Sequence, residues 1–304
     1  MDVSEAVDQL FSGVVPERAS ELSALWGAQE DRVRLLDTPR FLLQQRWETI
    51  QVSELALRQL WIAGYAAWRA IEAYSVPLSV FPLEHFDPEA WSLSPSQAEK
   101  EATFERLFDK IIEIGLHGRV EGFDWPEDVP SPQEGLKISD PEKKGTYDLV
   151  CIAGAYVFAH EIRHGLFERD EDTPAEEIDE ERACDDWALS LMLDQVELYA
   201  EANGWSAELV RSKRIMGIII AQLTIITLTP REKWDHSTDH PPVSERLHSV
   251  LSAASEPTPH WFWITVTSML LAFARRAGVK INYIPSVQNF RDFAFHICDQ
   301  LKSS

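Results

Sequence analysis

The sequence predicts a mainly α-helical (α+β) protein carrying a small edge sheet, and three observations predict it. Apolar residues repeat at helical spacing over long stretches, as in Leu57, Leu60, Trp61, Tyr65 and Trp68, and again in Phe104, Leu107, Phe108, Ile111 and Ile112. Helix start and stop signals bracket these stretches. Two apolar runs, Ile215–Leu228 and Trp261–Ala274, hold 14 residues each, short of the ~20 that cross a bilayer, and read as buried core helices. At 304 residues and 45% hydrophobic content, the chain suffices for one large domain or two smaller ones.

Taken in order, Thr38 and Pro39 read as the N-cap and first-turn proline of an early helix. Ser53 caps the amphipathic run from Glu54, in which Gly64 shares the apolar stripe and marks a close helix contact. Residues 75–93, with three prolines, form a connector. Ser94, Pro95 and Gln97 form a capping box for the next helix, which Gly118 stops. Residues 119–146 hold four prolines and read as a long loop. Tyr147–Ala159 is a buried helix that delivers His160 to an inner surface. Ser206 starts a helix that Pro230 ends, and residues 231–242 form a loop. Thr258 and Pro259 open a helix that Gly278 closes, Lys280–Ile284 reads as a strand, and Ser286 opens a last helix to about Lys302. This divides the sequence into a helical N-terminal region, 1–93 (a sensor, lid or substrate-binding element), and a catalytic core, 94–304.

Bulk properties narrow the function. A net charge of −22 argues against nucleic acid, whose phosphates need a basic footprint, and against an anionic membrane surface. Three cysteines form no disulfide framework. The run MDVSEAVDQLF lacks the basic and apolar segments of a secretory signal. Both point to the cytoplasm, with no membrane span.

The most informative run is AHEIRHG. His160, Glu161 and His164 form H-E-x-x-H, which on a helix aims both imidazoles at one metal ion and sets the carboxylate beside it. Such a carboxylate can take a proton from a metal-held water. The competing reading is a core or surface helix that carries two His by chance, and the apolar lead-in Val150, Ile152, Val157, Phe158 favours the metal site. A catalytic zinc needs a third protein ligand. Downstream, Glu181, Cys184, Asp185 and Ala188 form E-x-x-C-D-x-x-A. Glu181 is assigned as that ligand, and Asp185, one turn on, as the acceptor of a ligand histidine's outer N–H. The competing reading here is an acidic solvated helix; Asp185 and Ala188 favour Glu181 over Glu176, Glu177 and Glu180. Finally, DHPPVSERL carries His240, Pro241 and Arg246.

These blocks resemble the gluzincin metallopeptidases. E-x-x-A-D-x-x-A after H-E-x-x-H is their pattern, with Cys184 here in place of Ala. His240, Pro241 and Arg246 resemble the T/S-H-P-x-x-x-x-R segment of the HtpX heat-shock peptidases and the CAAX-prenyl proteases, with Asp239 in place of Thr or Ser. The resemblance implies that His240 donates to the oxyanion or closes the fourth zinc position, and that Arg246 holds a carboxylate or a substrate carbonyl. It also implies an edge strand beside the active-site helix that pairs with an extended substrate, for which Leu136–Ser139 is the candidate. In its modest size, its helical build and the position of H-E-x-x-H near the middle, the sequence also resembles the Lit-type phage-exclusion peptidases.

The expected function is that of a zinc metallopeptidase acting on a protein or peptide, with His160, His164 and Glu181 as ligands and Glu161 as general base. Two alternatives stand beside it: a defence protease silent until an activating partner binds, as in antiphage exclusion, and a zinc-binding regulatory protein without turnover.

Overall fold

The computed structural model describes residues 3–25, 32–47, 49–80, 94–254, 258–281 and 289–302. Helices dominate. The first two, α1 (Val3–Val14) and α2 (Ala19–Leu25), precede three strands, β1 (Val33–Leu36), β2 (Leu43–Arg46) and β3 (Thr49–Ser53). Then follow α3 (Glu54–Val80), α4 (Pro95–His117), α5 (Pro141–Asp170), α6 (Glu177–Leu193), α7 (Val196–Asn203), α8 (Ala207–Leu228), α9 (Val243–Ser252), α10 (His260–Arg276) and α11 (Phe290–Gln300).

Local chemistry explains the helix ends. Ser94, Asp140, Ser206 and Asn289 each accept a backbone N–H from three residues on, which satisfies donors that a helix N-terminus leaves open. Ser53 does the same for Ala56 at the start of α3. Gly118 closes α4 at φ 75°, a left-handed conformation that glycine adopts without a Cβ clash. Gln97 does not return the capping-box bond; its side chain donates instead to the carbonyl of Ala73 on α3, tying α4 to its neighbour.

The sheet runs β1-β3-β2, with β1 parallel and β2 antiparallel to β3, so β2 is an edge strand. Val33, Ile50 and Val52 turn inward and are buried. Four expectations are corrected here. Thr38 and Pro39 do not start a helix; they lie between β1 and β2. Leu136–Ser139 is not a strand: residues 132–137 form a short 3-10 helix, and the edge strand beside α5 is β2. The loop expected to run to residue 146 ends earlier, because Asp140 and Pro141 already start α5. The last helix opens at Phe290 behind Asn289, whereas Ser286 and most of Lys280–Ile284 lie outside the described residues.

A contiguous apolar core gathers residues from Val7 to Leu301. Helix α5 lies near its centre and packs against α1, α3, α6 and α8. Two glycines permit the close approaches. A Cβ on Gly64 of α3 would overlap Cγ2 of Val150, and one on Gly217 of α8 would stand 2.5 Å from the Cβ of Ile152. Both neighbours belong to α5 and are β-branched, so they are stiff at χ1. Gly217→Ala is therefore expected to destabilise the fold by ~1–3 kcal/mol through overpacking. Gly145→Ala, where no atom stands within 4 Å, should be neutral or raise stability by ~0.5–1 kcal/mol. Urea unfolding of both variants checks this, and equal midpoints would refute the close-packing account.

Candidate metal centre and active site

His160 and His164 occupy one face of α5, with ring centroids 5.0 Å apart. Each outer nitrogen is fixed by an acid from α6: His160 Nδ1 lies 3.0 Å from Asp185 Oδ1, and His164 Nδ1 lies 2.6 Å from Glu180 Oε1. A carboxylate can only accept, so each Nδ1 carries a proton, and each Nε2 points inward. The two Nε2 atoms stand 3.2 Å apart. The Glu181 carboxylate meets both, Oε2 at 3.3 Å from His160 and Oε1 at 3.3 Å from His164. Glu180 was missed by sequence reasoning; in so acidic a stretch, spacing alone did not distinguish it from its neighbours.

Asp185 does more than orient one ring. Its Oδ1 accepts from His160, from the Tyr156 hydroxyl at 2.9 Å and from Arg246 Nη2 at 2.6 Å. Tyr156 in turn accepts from Gln222 Nε2 of α8 at 3.0 Å. Arg246, expected to face substrate, borders the cavity but has its guanidinium against Asp185, and its side chain is 9% exposed.

The carboxylate of Glu161 is buried, and its Oε2 accepts the backbone N–H of Gln45 at 2.6 Å. The Gln45 side chain also donates to Glu168 at 2.7 Å, so β2 is fastened along α5 beside Gly165, where a Cβ would stand 3.5 Å from the Gln45 stem. No motif marks Gln45, because its contribution is a main-chain donor.

His240 reaches the centre from the loop before α9, its Nδ1 3.0 Å from Glu181 Oε2. Buried Trp234 shapes that loop: its carbonyl accepts from Val243 N at 3.0 Å, and its indole donates to Thr229 at 3.1 Å. Asp239, where the resemblance has Thr or Ser, accepts from Ser237 and Thr238. His236, in the same loop, is exposed and does not border the cavity.

The electrostatics favour a cation at the Nε2 pair. Burial opposes charge on His160, yet its bonds to Asp185 and Glu181 outweigh this and push its pKa up to about 10. His164 shifts the same way, Glu181 and Glu180 overcoming burial. Burial opposes ionisation of Glu181 and Asp185 too, but the histidines around Glu181, and Arg246 and His160 beside Asp185, hold both well below the usual carboxylate range. Burial pushes the Glu161 carboxyl up, partly offset by His160 and His164. With protons alone, then, the acids charge the imidazoles; a metal ion competes for the same lone pairs.

Two residues vie for the third place beside the His pair. Sγ of Cys184 and a ring nitrogen of each His lie within 4.8 Å of one another. Burial, then the neighbouring acids, push that thiol up. Glu181 is closer, touches both Nε2 atoms and is already ionised. A cavity of about 660 Å³ opens over the centre, with Leu43, Ile225 and Leu228 on its apolar side and Glu161, Glu181 and His240 on its polar side.

The Peptidase U49 family model matches residues 50–265. The chain belongs to the Peptidase U49 family. The span matched includes α5, α6 and the His240 loop, and leaves β1 and β2 before it. Within the curated proteins, the chain is 31% identical over 158 residues to the cell death peptidase of Escherichia coli (strain K12), 52% of this chain and 50% of that protein. The chain thus matches half the length of that relative. No solved structure matches. Among the described residues, no helix of this U49 chain is long and apolar enough to cross a membrane.

The Asp185–Arg246 pair yields a stability prediction. Asp185→Ala leaves a buried guanidinium without its carboxylate and should cost ~3–5 kcal/mol, while Asp185→Ala with Arg246→Met should recover most of it. Denaturant unfolding of both variants measures the coupling; a double variant no more stable than the single one refutes it.

Proposed function

We propose that this U49 chain is a zinc-dependent metallopeptidase that hydrolyses peptide bonds in a protein substrate. The observation that carries the reading is the convergence of His160 Nε2, His164 Nε2 and the Glu181 carboxylate, the ring nitrogens 3.2 Å apart and a different carboxylate oxygen 3.3 Å from each. Ligand atoms ~2.05 Å from one ion at the tetrahedral angle lie ~3.3 Å apart. Two imidazoles, one carboxylate and an open side toward a cavity suit a catalytic zinc rather than a structural one. When bound, zinc supplies a Lewis acid that acidifies a water and offsets charge on the carbonyl oxygen.

The rest falls to the protein. Asp185 and Glu180 fix the two rings. Arg246 keeps Asp185 ionised and aimed, a positioning role in place of the substrate contact expected of it. Glu161 takes the proton of the attacking water and passes it to the departing amine; the Gln45 N–H occupies Oε2 and leaves Oε1 for that work. His240, more than half exposed on its loop, donates to the carbonyl oxygen as it gains charge. Residues 1–93 furnish the edge strand along which an extended substrate can lie, and 94–304 hold the ligands. The HtpX-like, gluzincin resemblance and a cytoplasmic setting agree with this reading.

A second reading concerns control. The relative is named a cell death peptidase, and that name favours a protease silent until a partner protein engages it, of the phage-exclusion type. Purified protein would then hold zinc yet leave general substrates uncut until the partner is added.

Elemental analysis tests the ligand set. Wild type, Glu161→Ala and Cys184→Ala should each hold about one zinc per protomer, and Glu181→Ala should lose it. Zinc lost from Cys184→Ala but kept by Glu181→Ala would reassign the third ligand to the thiol, and a zinc-free wild type after metal-sufficient purification would sink the reading. On any protein that the wild type cleaves, Glu161→Gln should lower kcat ~10²–10⁴-fold with zinc retained, and His240→Ala should lower kcat by ~10²-fold with KM little changed.

A further inference from the structure

The turn between β2 and β3 carries two features the metal centre does not use. Trp47 sits at φ 52°, a left-handed conformation costly for a bulky side chain. It is also 73% exposed, so little packing beyond the Arg46 guanidinium on its ring offsets the strain. Two-residue hairpins that need positive φ ordinarily take Asn or Gly there. An exposed tryptophan in that place leaves a large apolar surface in water, which docking against another surface would bury.

Charge points to the kind of surface. Residues 32–48 hold Arg32, Arg34, Arg40 and Arg46 against Asp37 and Glu48, net +2 in a protein of −22. Arg32 is paired with Asp8 and Arg34 also has a partner, while Arg40 and Arg46 are exposed. The Arg46 guanidinium lies 4.6 Å from the Trp47 ring centroid, a preassembled cation–aromatic pair. Arg34, Gln51 and Gln44 stand in one register row, so they share the outer face, and Gln44 and the 39%-exposed Phe41 border the catalytic cavity. The surface is therefore continuous with the site.

We propose that the outer face of the β1-β3-β2 sheet and its Trp47 tip dock an acidic segment, with apolar residues interleaved, of the protein on which this site acts. The docked segment enters the cavity along β2. Arginine and tryptophan are the residue types that anchor protein interfaces, and a local basic patch on an acidic body selects an acidic partner at short range, because salt screens the remaining charge beyond ~8 Å. A nucleic acid or an anionic membrane would meet the acidic body over a longer contact. The word substrate rests on the peptidase reading; the surface does not.

The test reads binding alone, in the full-length protein carrying Glu161→Gln. Fluorescence anisotropy would use a labelled peptide of ~16 residues alternating Glu and Leu/Phe, its lysine counterpart, an oligonucleotide of equal charge and vesicles of anionic lipid. The acidic peptide should bind at least ~10-fold tighter than the others. Trp47→Gly, and Arg40→Glu with Arg46→Glu, should each weaken it ~10-fold or more. Trp47→Gly should also keep or raise the Tm, since glycine accepts the backbone angle, which separates lost docking from lost folding. Equal binding of the lysine peptide, tighter binding of the oligonucleotide or vesicles, or full binding by Trp47→Gly would overturn the proposal. A zinc-free wild type would sink the peptidase reading while leaving these results to stand or fall by themselves.

Discussion

Three helices meet at one oxygen atom, and a fourth braces one of its donors. Oδ1 of Asp185 on α6 accepts from His160 and Tyr156 of α5 and from Arg246 of α9, while Gln222 of α8 braces the tyrosine. A buried carboxylate left unpaired would cost several kcal/mol, so the cluster is stable only when every helix is in register. Aiming of the histidine is thereby tied to the packing of the core, and a packing error in any one of these helices is felt at the ring nitrogen.

This constraint explains why the centre needs so many acids. Each imidazole presents Nε2 inward because its Nδ1 proton is taken by a carboxylate, Asp185 for one and Glu180 for the other. Glu181 then closes the triangle between them. The charge of these groups is unbalanced without a cation, and the upward shift of His160 to about 10 expresses that imbalance as bound protons. Cys184, one turn on in α6, is buried among the same acids and held as a neutral thiol.

Much of this was legible in the sequence where signals were local. H-E-x-x-H needs one helical turn, Glu181 and Asp185 another, and the caps at Ser53, Ser94 and Ser206 need three residues each. The strands were missed because segments of four or five residues such as LQQR carry no clear alternation, and their partners lie elsewhere in the sequence. The turn chemistry misled as well: Thr38 and Pro39 have the composition of a helix start, but the backbone there is already leaving β1. Glu180 was hidden among equivalent acids, and Gln45 acts through an amide that every residue but proline possesses. Sequence shows which side chains are present, but not which backbone donors fall beside them.

The fastening of Glu161 to Gln45 bears on the order in which the site comes together. His160 and Glu181 are about 20 positions apart, whereas Glu161 and Gln45 are separated by 116. Closing the longer loop costs ~1.5 kcal/mol more in conformational entropy, and non-local pairings form late. A folding polypeptide therefore brings His160, His164 and Glu181 together before the Glu161 carboxylate is anchored. The cluster on α5 and α6 precedes the contact with the sheet, and folding is complete only when the β2–β3 hairpin settles on the central helix.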